Sequence, residues 1–454
     1  MDKMGPGVLH YSCKEFKKYS AKGMCVIQID SCTMALIILV VTMVLFVWGK
    51  FPLPVVAVGS ALAMGIFGVI PFSSAFSGFS NDINLMVIGS MVVGEALFET
   101  GVAQKLGSTI IKMVGTNERL FVVTCVVLSA VLSAFLSNTA VVAMMLPIVA
   151  AVASSSNGNI TKRNSYMAIG FAANVGGGMT LVGSSPNVVL QGLLADSGLE
   201  TMSFFDLTLG SLPRLIFIVI FYATFGYKLQ KKVFDFEDVP DGGSAAGEEE
   251  AASEQQFSKP KMIISIVILV LTISGFVSGI WTVGAVAMTA ALACVVTGCI
   301  SIKQVFARMD WTTVWVMAGS LGLAAGVSQS GAGELIANTI IDLMGGSVSM
   351  LTLLMIFTLL SVVLANIMSS TATSAMLGPI AFAMCQALGY SAKPVAMVII
   401  WALNLAFLTP IATPPVTMTL QGGYRFLDYT KVGFPLMVGC LLLTIVTYPL
   451  LFGI

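Results

Sequence analysis

Apolar residues run along this chain in blocks too long for the core of a soluble domain, at about 33–49, 52–71, 83–100, 120–155, 165–195, 209–228, 262–280, 282–300, 311–328, 349–389, 393–422 and 433–453. A helix crosses a bilayer in roughly 20 residues. Two blocks, 120–155 and 349–389, hold nearly double that and carry a polar triplet in the middle. The triplets are Ser137, Asn138, Thr139 in AFLSNTAVVAMMLP and Ser369, Ser370, Thr371 in NIMSSTATSAMLGP. Each block predicts a re-entrant hairpin with its tip at the triplet. Two further blocks are interrupted at corresponding places, by Gly176, Gly177, Gly178, Gly183, Ser184, Ser185, Pro186 and Asn187 in one and by Thr409, Pro410, Ala412, Thr413, Pro414 and Pro415 in the other. Glycine and proline disfavour continuous helix by about 1 and 3 kcal/mol per residue relative to alanine, so both blocks predict broken helices.

The second half of the chain repeats the first. Gly89, Ser90 and Gly101 meet Gly319, Ser320 and Gly331 at an offset of 319 − 89 = 230, and Asn174 meets Asn404 at the same offset. Leu190, Gln191 and Gly192 meet Leu420, Gln421 and Gly422, while Ser137, Thr139 and Pro147 meet Ser369, Thr371 and Pro379 at 232. Each unit then holds five spans and one hairpin, and an odd number of crossings turns the second unit over, giving an inverted repeat. The expected organisation is a surface segment at 1–32, a first repeat at 33–228 with its hairpin at 120–155, a linker at 229–260, and a second repeat at 261–454 with its hairpin at 349–389. The linker, KKVFDFEDVPDGGSAAGEEEAASEQQ in its first part, reads as solvated coil and not as a domain. Loop charges agree with this topology: Lys50, Lys105, Lys112, Arg119, Lys162, Arg163, Lys228, Lys303, Arg308, Arg425 and Lys431 fall on one side, which the positive-inside rule makes cytoplasmic. Lys393 and the N-terminal lysines are the exceptions, so ten spans leave residues 1–32 on the side their charge disfavours.

Composition narrows the class further. The chain is 57% apolar and 10% charged, with a mean hydropathy of +0.96, which describes an all-α polytopic membrane protein. A formal net charge of zero favours no nucleic-acid partner. One histidine, His10, and eight cysteines without ligand spacing predict no transition-metal site and a packing role for the thiols. The 27 methionines read as membrane-core filler and Trp311 and Trp315 as an interfacial anchor.

Clustered hydroxyls and amides in hydrocarbon point to a site, since an unpartnered buried polar group costs roughly 2 to 7 kcal/mol. Two hairpins entering from opposite sides bring the triplets together near the midplane. Serine, threonine and asparagine donate to a carboxylate, helix N-termini add positive potential, and freed carbonyl oxygens suit a hard cation such as sodium. Glu95 and Glu99, four apart on the third span, are candidates for proton coupling, or else Glu99 reaches the cytoplasmic end and Glu95 pairs with a neighbouring polar group or Lys105. Asn366 either supplements the second tip or caps a helix. No HExxH or catalytic dyad supports an enzyme, and no filter motif supports a channel. A cation/proton antiporter or a pump subunit of related fold would place acidic residues at the hairpin tips, and neither tip has one.

On these motifs the chain resembles the divalent anion/sodium symporters, the INDY-type sodium/dicarboxylate transporters of the ion transporter superfamily. Their hallmark is a Ser-Asn-Thr triplet at each hairpin tip, present as SNT at 137–139 and varied to SST at 369–371, followed by a Gly/Thr-Pro-Pro-Asn-like turn, matched by GSSPN at 183–187 and partly by ATPPV at 412–416. The resemblance implies an elevator-type transporter of the plasma (inner) membrane, usually a homodimer, that carries small dicarboxylates such as succinate, malate or 2-oxoglutarate, or citrate or sulfate, by sodium symport or by exchange. It assigns substrate contacts to Ser137, Asn138, Thr139, Ser369, Ser370 and Thr371, with Pro186 beside them and Thr417 and Val416 at the rim. A first cation site falls to Ser133, Ser137, Asn138, Asn187 and the Gly183 backbone. A second falls to the Ala365, Met368 and Ala412 carbonyls with Ser370. No cofactor is implied beyond sodium as a coupling ion. Ser370 in place of asparagine and Val416 in place of asparagine both bear on the second cation site.

Overall fold

A backbone immersed in hydrocarbon has to satisfy its own N–H and C=O groups, and the chain does so with helices, no strand occurring among the described residues. The computed structural model describes residues 30–102, 105, 117–156, 158–238, 257–343, 348–410 and 412–453; the expected surface segment up to residue 29 and residues 239–256 of the linker lie outside them. The first half comprises α1 (Ser31–Trp48), α2 (Leu53–Ile66), α3 (Asp82–Glu99), α4 (Glu118–Ser133), α5 (Asn138–Ser155), α6 (Lys162–Gly177), α7 (Ser185–Asp196), α8 (Asp206–Ala223) and α9 (Phe225–Val233). The second comprises α10 (Lys259–Ser278), α11 (Val283–Val296), α12 (Ile302–Arg308), α13 (Trp311–Gln329), α14 (Ala332–Leu343), α15 (Met350–Ile367), α16 (Ser370–Leu388), α17 (Ala392–Leu403), α18 (Pro414–Met418) and α19 (Phe426–Phe452).

Six of these, α1, α8, α10, α15, α16 and α19, are long and apolar enough to cross a membrane. Their outer faces carry large apolar side chains with no protein over them, such as Val44, Leu271 and Val446. Only hydrocarbon covers such stripes at no cost. Both hairpins form as expected, α4 and α5 turning at 134–137 and α15 and α16 turning at 368–369. Both broken helices also form: α6 and α7 flank an unwound stretch at 178–184, and α17 and α18 flank one at 404–413.

Packing between the halves is reciprocal. Helix α2 lies against α13, and α11 lies against α3. Gly89 of α3 sits directly on the backbone of Ala287 in α11, where an added Cβ would meet the carbonyl carbon at 2.3 Å, and Gly319 of α13 sits on the backbone of Ala57 in α2, with the corresponding distance 2.5 Å. Because 287 − 57 and 319 − 89 are both 230, one contact is made twice. Further along, Thr208 donates to Met179 O at 2.7 Å and Thr430 to Leu408 O at 2.8 Å. Here the offset between α8 and α19 shortens to 430 − 208 = 222, since the connection after α7 is longer than its counterpart.

Three expected boundaries move. The linker was expected from 229, but α9 continues to Val233 with Gly226 and Gln230 buried, and the Asp238 carboxylate accepts from the backbone N–H groups of Lys162 and Arg163, 2.9 Å each. That carboxylate satisfies donors that the first turn of α6 leaves open. The span expected at 209–228 ends at Ala223, because Thr224 at φ −125°, ψ −85° leaves the helical region. The last helix starts at Phe426 and not at 433, its entry fixed by Asp428 accepting from Arg425 N at 2.9 Å. The described cysteines are unpaired, and all but Cys32 are buried, as a packing role requires.

Gly89→Ala and Gly319→Ala should each push a methyl into facing backbone and destabilise the protein by about 1–3 kcal/mol. Thermal unfolding of the detergent-purified protein reads this directly; a melting temperature equal to the parent's for both variants would mean that the helix pairs are not held at this separation.

Candidate functional site

The hairpin tips use one backbone solution. Ser137 precedes α5 at φ −56°, ψ 133° and Ser369 precedes α16 at φ −59°, ψ 134°, the extended geometry of an N-cap. Ser137 accepts from Ala140 N at 3.4 Å. In the broken helices Ser184 and Thr413 stand at the same position ahead of α7 and α18, each followed by proline in the first turn, where its missing N–H is no loss.

These four helix starts meet at one cavity of about 590 Å³. Its lining includes both complete triplets, Ser137, Asn138, Thr139 and Ser369, Ser370, Thr371, together with Gly183, Ser184, Ser185, Pro186, Ala412, Thr413, Pro414 and Pro415. A helix N-terminus carries roughly half a positive elementary charge and unpaired N–H groups; α5, α7 and α16 bring theirs to the wall and make it attractive to an anion without any lysine, whereas α18 opens with Pro414 and Pro415, which have no N–H, and its next two N–H groups donate to Thr413 O. The full charges on the lining are Glu95, Arg308 and Asp310. Arg308 pairs with Glu99 at 2.5 Å, and Gln304 donates to the same carboxylate. Asp310 caps α13 and accepts from Thr313 Oγ1 at 2.5 Å, while Thr313 Oγ1 lies 2.7 Å from Ser185 Oγ. Glu95 therefore faces the cavity, and Glu99 is engaged at its edge.

Behind the first tip lies a cluster of oxygens. The Asn138 amide faces the carbonyls of Gly183 at 2.8 Å and Ala173 at 3.2 Å and the Ser133 hydroxyl, its nitrogen donating to all three. Close approach is possible because Gly183 lacks a side chain: a Cβ there would stand 2.6 Å from Gly177 O and 2.8 Å from Ser133 O. A small cation at this point would exchange the amide nitrogen for the amide oxygen and find oxygen ligands already gathered. The second tip repeats the arrangement in reduced form. Ser370 Oγ donates to Leu403 O at 3.1 Å, the counterpart of Asn138 to Ala173 O. Ala365 stands where the first cluster has Ser133, since 133 + 232 = 365.

Several residues read from the sequence as site residues lie off the cavity wall, Ser133 among them in the oxygen cluster behind the first tip. Ser133, Asn187, Ala365, Met368 and Thr417 do not line the cavity. Asn187 is fully buried and committed: its amide donates to Gly177 O and Thr180 O, 2.8 Å each, and accepts from Asn404 at 3.3 Å. It splints the unwound stretch. Thr417 donates to Pro410 O at 2.6 Å. Asn366 donates to Val362 O and accepts from Leu408 N, both 2.8 Å, so it braces the second break and does not reach the tip. Ala365 and Met368 are buried in the second hairpin behind the wall. The sequence reading missed Arg308, Asp310, Thr312 and Thr313 as lining residues. Arg308 ends α12, Asp310 precedes α13 and Thr312 and Thr313 open α13, a stretch where the signal of loop charge hides them; Asp310 ahead of an apolar block was the available clue, as an N-cap. Asn174 and Asn404, noted only as a repeated pair, also line the cavity, and Asn174 donates to Thr413 Oγ1 at 3.0 Å.

Comparison with known proteins agrees with this architecture. A family model described as "Citrate transporter" matches residues 43–402 and, in an overlapping second match, 280–454. An uncharacterized transporter of Haemophilus influenzae is 27% identical over 400 residues, 82% of this chain and 82% of that protein. A sodium-dependent high-affinity dicarboxylate transporter 3 of Caenorhabditis elegans is 24% identical over 87% of this chain and 78% of its own length. Among solved structures, the YdaH transporter of Alcanivorax borkumensis superposes with a TM-score of 0.57 at 14% identity, covering 90% of this chain and 98% of that one, a likeness of fold. The expected resemblance to sodium/dicarboxylate transporters is thereby met.

Asn187→Ala should strand the carbonyls of Gly177 and Thr180 and cost about 1–3 kcal/mol through unpaired buried groups. Thermal unfolding measures it, and a variant as stable as the parent would mean that the unwound stretch does not depend on this amide.

Proposed function

This chain belongs to the citrate transporter family, CitMHS, and from that premise we propose that it is a secondary active transporter of small carboxylate anions, of the C4-dicarboxylate, 2-oxoglutarate or citrate kind, driven by sodium or by exchange. One observation carries the reading: two polar hairpin tips and two broken-helix starts meet at a single cavity. Hydroxyls of Ser137, Thr139, Ser369 and Thr371 and the N–H groups of the helix starts provide donors for carboxylates, and the oxygen cluster around Asn138 provides a cation site beside them. The reading extends to Pro186 as part of the substrate wall and to Ser133, Asn138 and Gly183 as the first cation site. The sodium-dependent dicarboxylate relative supports sodium as the coupling ion.

Duplicated units of opposite orientation account for the reciprocal pairing of α2 with α13 and of α3 with α11. In this reading the units span 33–228 and 261–454, and the α2, α3, α11 and α13 pairs form a scaffold against which hairpins and broken helices slide as an elevator. The protein acts in the plasma membrane, as a homodimer by analogy with the symporters it resembles. Alternation needs a site that opens to each side in turn, and a cavity made from mirrored parts at the midplane meets that need.

Two experiments follow. Reconstituted into proteoliposomes, the protein should take up radiolabelled succinate or citrate, and the Ser137→Ala, Thr139→Ala pair should abolish uptake while the purified variant elutes and melts as the parent does; undiminished transport by that pair would refute the assigned site. Glu95 is a carboxylate on the cavity wall, so Glu95→Gln should flatten the pH dependence of uptake if protons take part. An identical pH profile would confine coupling to other ions.

A further inference from the structure

The two units are not electrostatic equals, and the difference centres on Arg214. This side chain in α8 is 2% exposed. Its guanidinium donates to Trp401 O at 2.9 Å, Gly210 O at 3.2 Å and Ser211 Oγ at 2.7 Å, and lies over the Trp401 ring at 5.2 Å. Among the described residues no carboxylate forms an ion pair with it. Trp401 belongs to the last turn of α17, whose C-terminus at Leu403 opens into the second break. A helix C-terminus carries roughly half a negative elementary charge and open carbonyls, and an intramembrane arginine is stabilised by such groups. Ser370 of the second hairpin tip bonds Leu403 O in the same turn. Arg214 and the second tip thus serve one helix end.

Among the described residues, the end of α6 at the first break is met by no such cation. At the offset of 222 that relates α8 to α19, the counterpart of Arg214 is Leu436, fully buried in apolar packing. What the first unit keeps instead is side-chain oxygen: Ser133 and Asn138, where the second unit has Ala365 and Ser370. The fixed cation and the missing hydroxyl, Ala365 in place of Ser133, fall on the same side.

We infer that Arg214 is a built-in cation that takes the place of a coupling ion at the second unit, so that the cargo is coupled through the Asn138 cluster alone. The inference rests on the transport reading above and specifies its ion coupling. Arg214 is a positioning residue, acting on α17 and, through Ser211, which donates to Gly178 O at 2.6 Å, on the end of the first break as well.

The test is initial uptake of labelled succinate and of citrate by proteoliposomes, titrated with sodium against a non-transported organic cation. The parent should show a sodium Hill coefficient of about 1, and Arg214→Gln should gain a further cation requirement, its coefficient rising toward 2 with half-saturation shifted upward, because the helix end is no longer neutralised. Arg214→Lys keeps the charge and should keep the parent's coefficient while raising the KM for cargo. A parent coefficient of 2 or more, or sodium curves for Arg214→Gln that overlay the parent's, would overturn the inference. Should Arg214→Gln fail to fold, the parent coefficient and the Lys variant decide. Sodium-independent uptake by the parent would count against sodium coupling while leaving this inference testable, since Arg214→Gln should then acquire a sodium requirement that the parent lacks; no acquired requirement overturns it.

Discussion

Every break in a helix inside the membrane must find partners for the backbone groups it releases, and that requirement shapes the centre of this protein. Water is scarce at that depth, and each orphaned group costs several kcal/mol. The partners are side chains from other elements. Asn187 holds Gly177 O and Thr180 O, Thr208 holds Met179 O, and Ser211 holds Gly178 O around the first break. Asn366 takes Leu408 N and Thr430 takes Leu408 O around the second, while Arg214 takes Trp401 O. With those groups satisfied from outside, the first-turn N–H groups of α5, α7 and α16 remain at the cavity. The proposed anion site is therefore a remainder: what is left open after the rest of the break has been closed.

The same requirement explains why glycine marks the site. Gly176 approaches Ala130 so closely that a Cβ would stand 2.1 Å from its carbonyl oxygen, and Gly177 and Gly183 lie against Asn138 and Ser133. Hairpin and broken helix are locked at a separation that tolerates no side chain. The Asn138 amide can then reach two main-chain carbonyls at once, which fixes the tip relative to the break. The groups proposed to meet substrate and those proposed to meet a cation thus form one rigid constellation, which is the physical basis for coupling in that reading.

What the sequence made legible was whatever contrasts with hydrocarbon. Polar triplets in apolar blocks marked both tips, and paired glycine and proline marked both breaks. The repeat was visible because its fixed points, Gly89 with Gly319 and Asn174 with Asn404, stand where close packing or buried polarity leaves little choice. Partner identity was not legible. Asn187 has the right residue type in the right motif for an ion ligand, yet its amide is spent on carbonyls seven and ten residues back, a geometry that exists only once the stretch has unwound. Arg308 and Asp310 read as loop charge because the chain before α13 is short and polar; their place on the cavity wall depends on how α13 packs against α7. The early part of the linker was misread for the converse reason, since the buried Gln230 and the Phe234 ring against Tyr424 at 4.9 Å give a charged-looking stretch a packed face.

Duplication followed by divergence gives such a site its direction. Two identical clusters would bind cations alike and leave an empty cavity bordered by two negative helix ends. Here one end is met by a guanidinium that cannot leave and the other by oxygens that can accept an ion and release it. An anion that enters the cavity sees helix N-termini on both sides, so its own placement stays nearly symmetric while the ion requirement does not. On the coupling proposed above, the second unit is already neutralised when empty and the first is not, so cation binding at the Asn138 cluster is the event that would complete the site for cargo. The coupling of ion to anion then resides in the one tip whose asparagine survives, and the asymmetry between SNT and SST is where it is written in the chain.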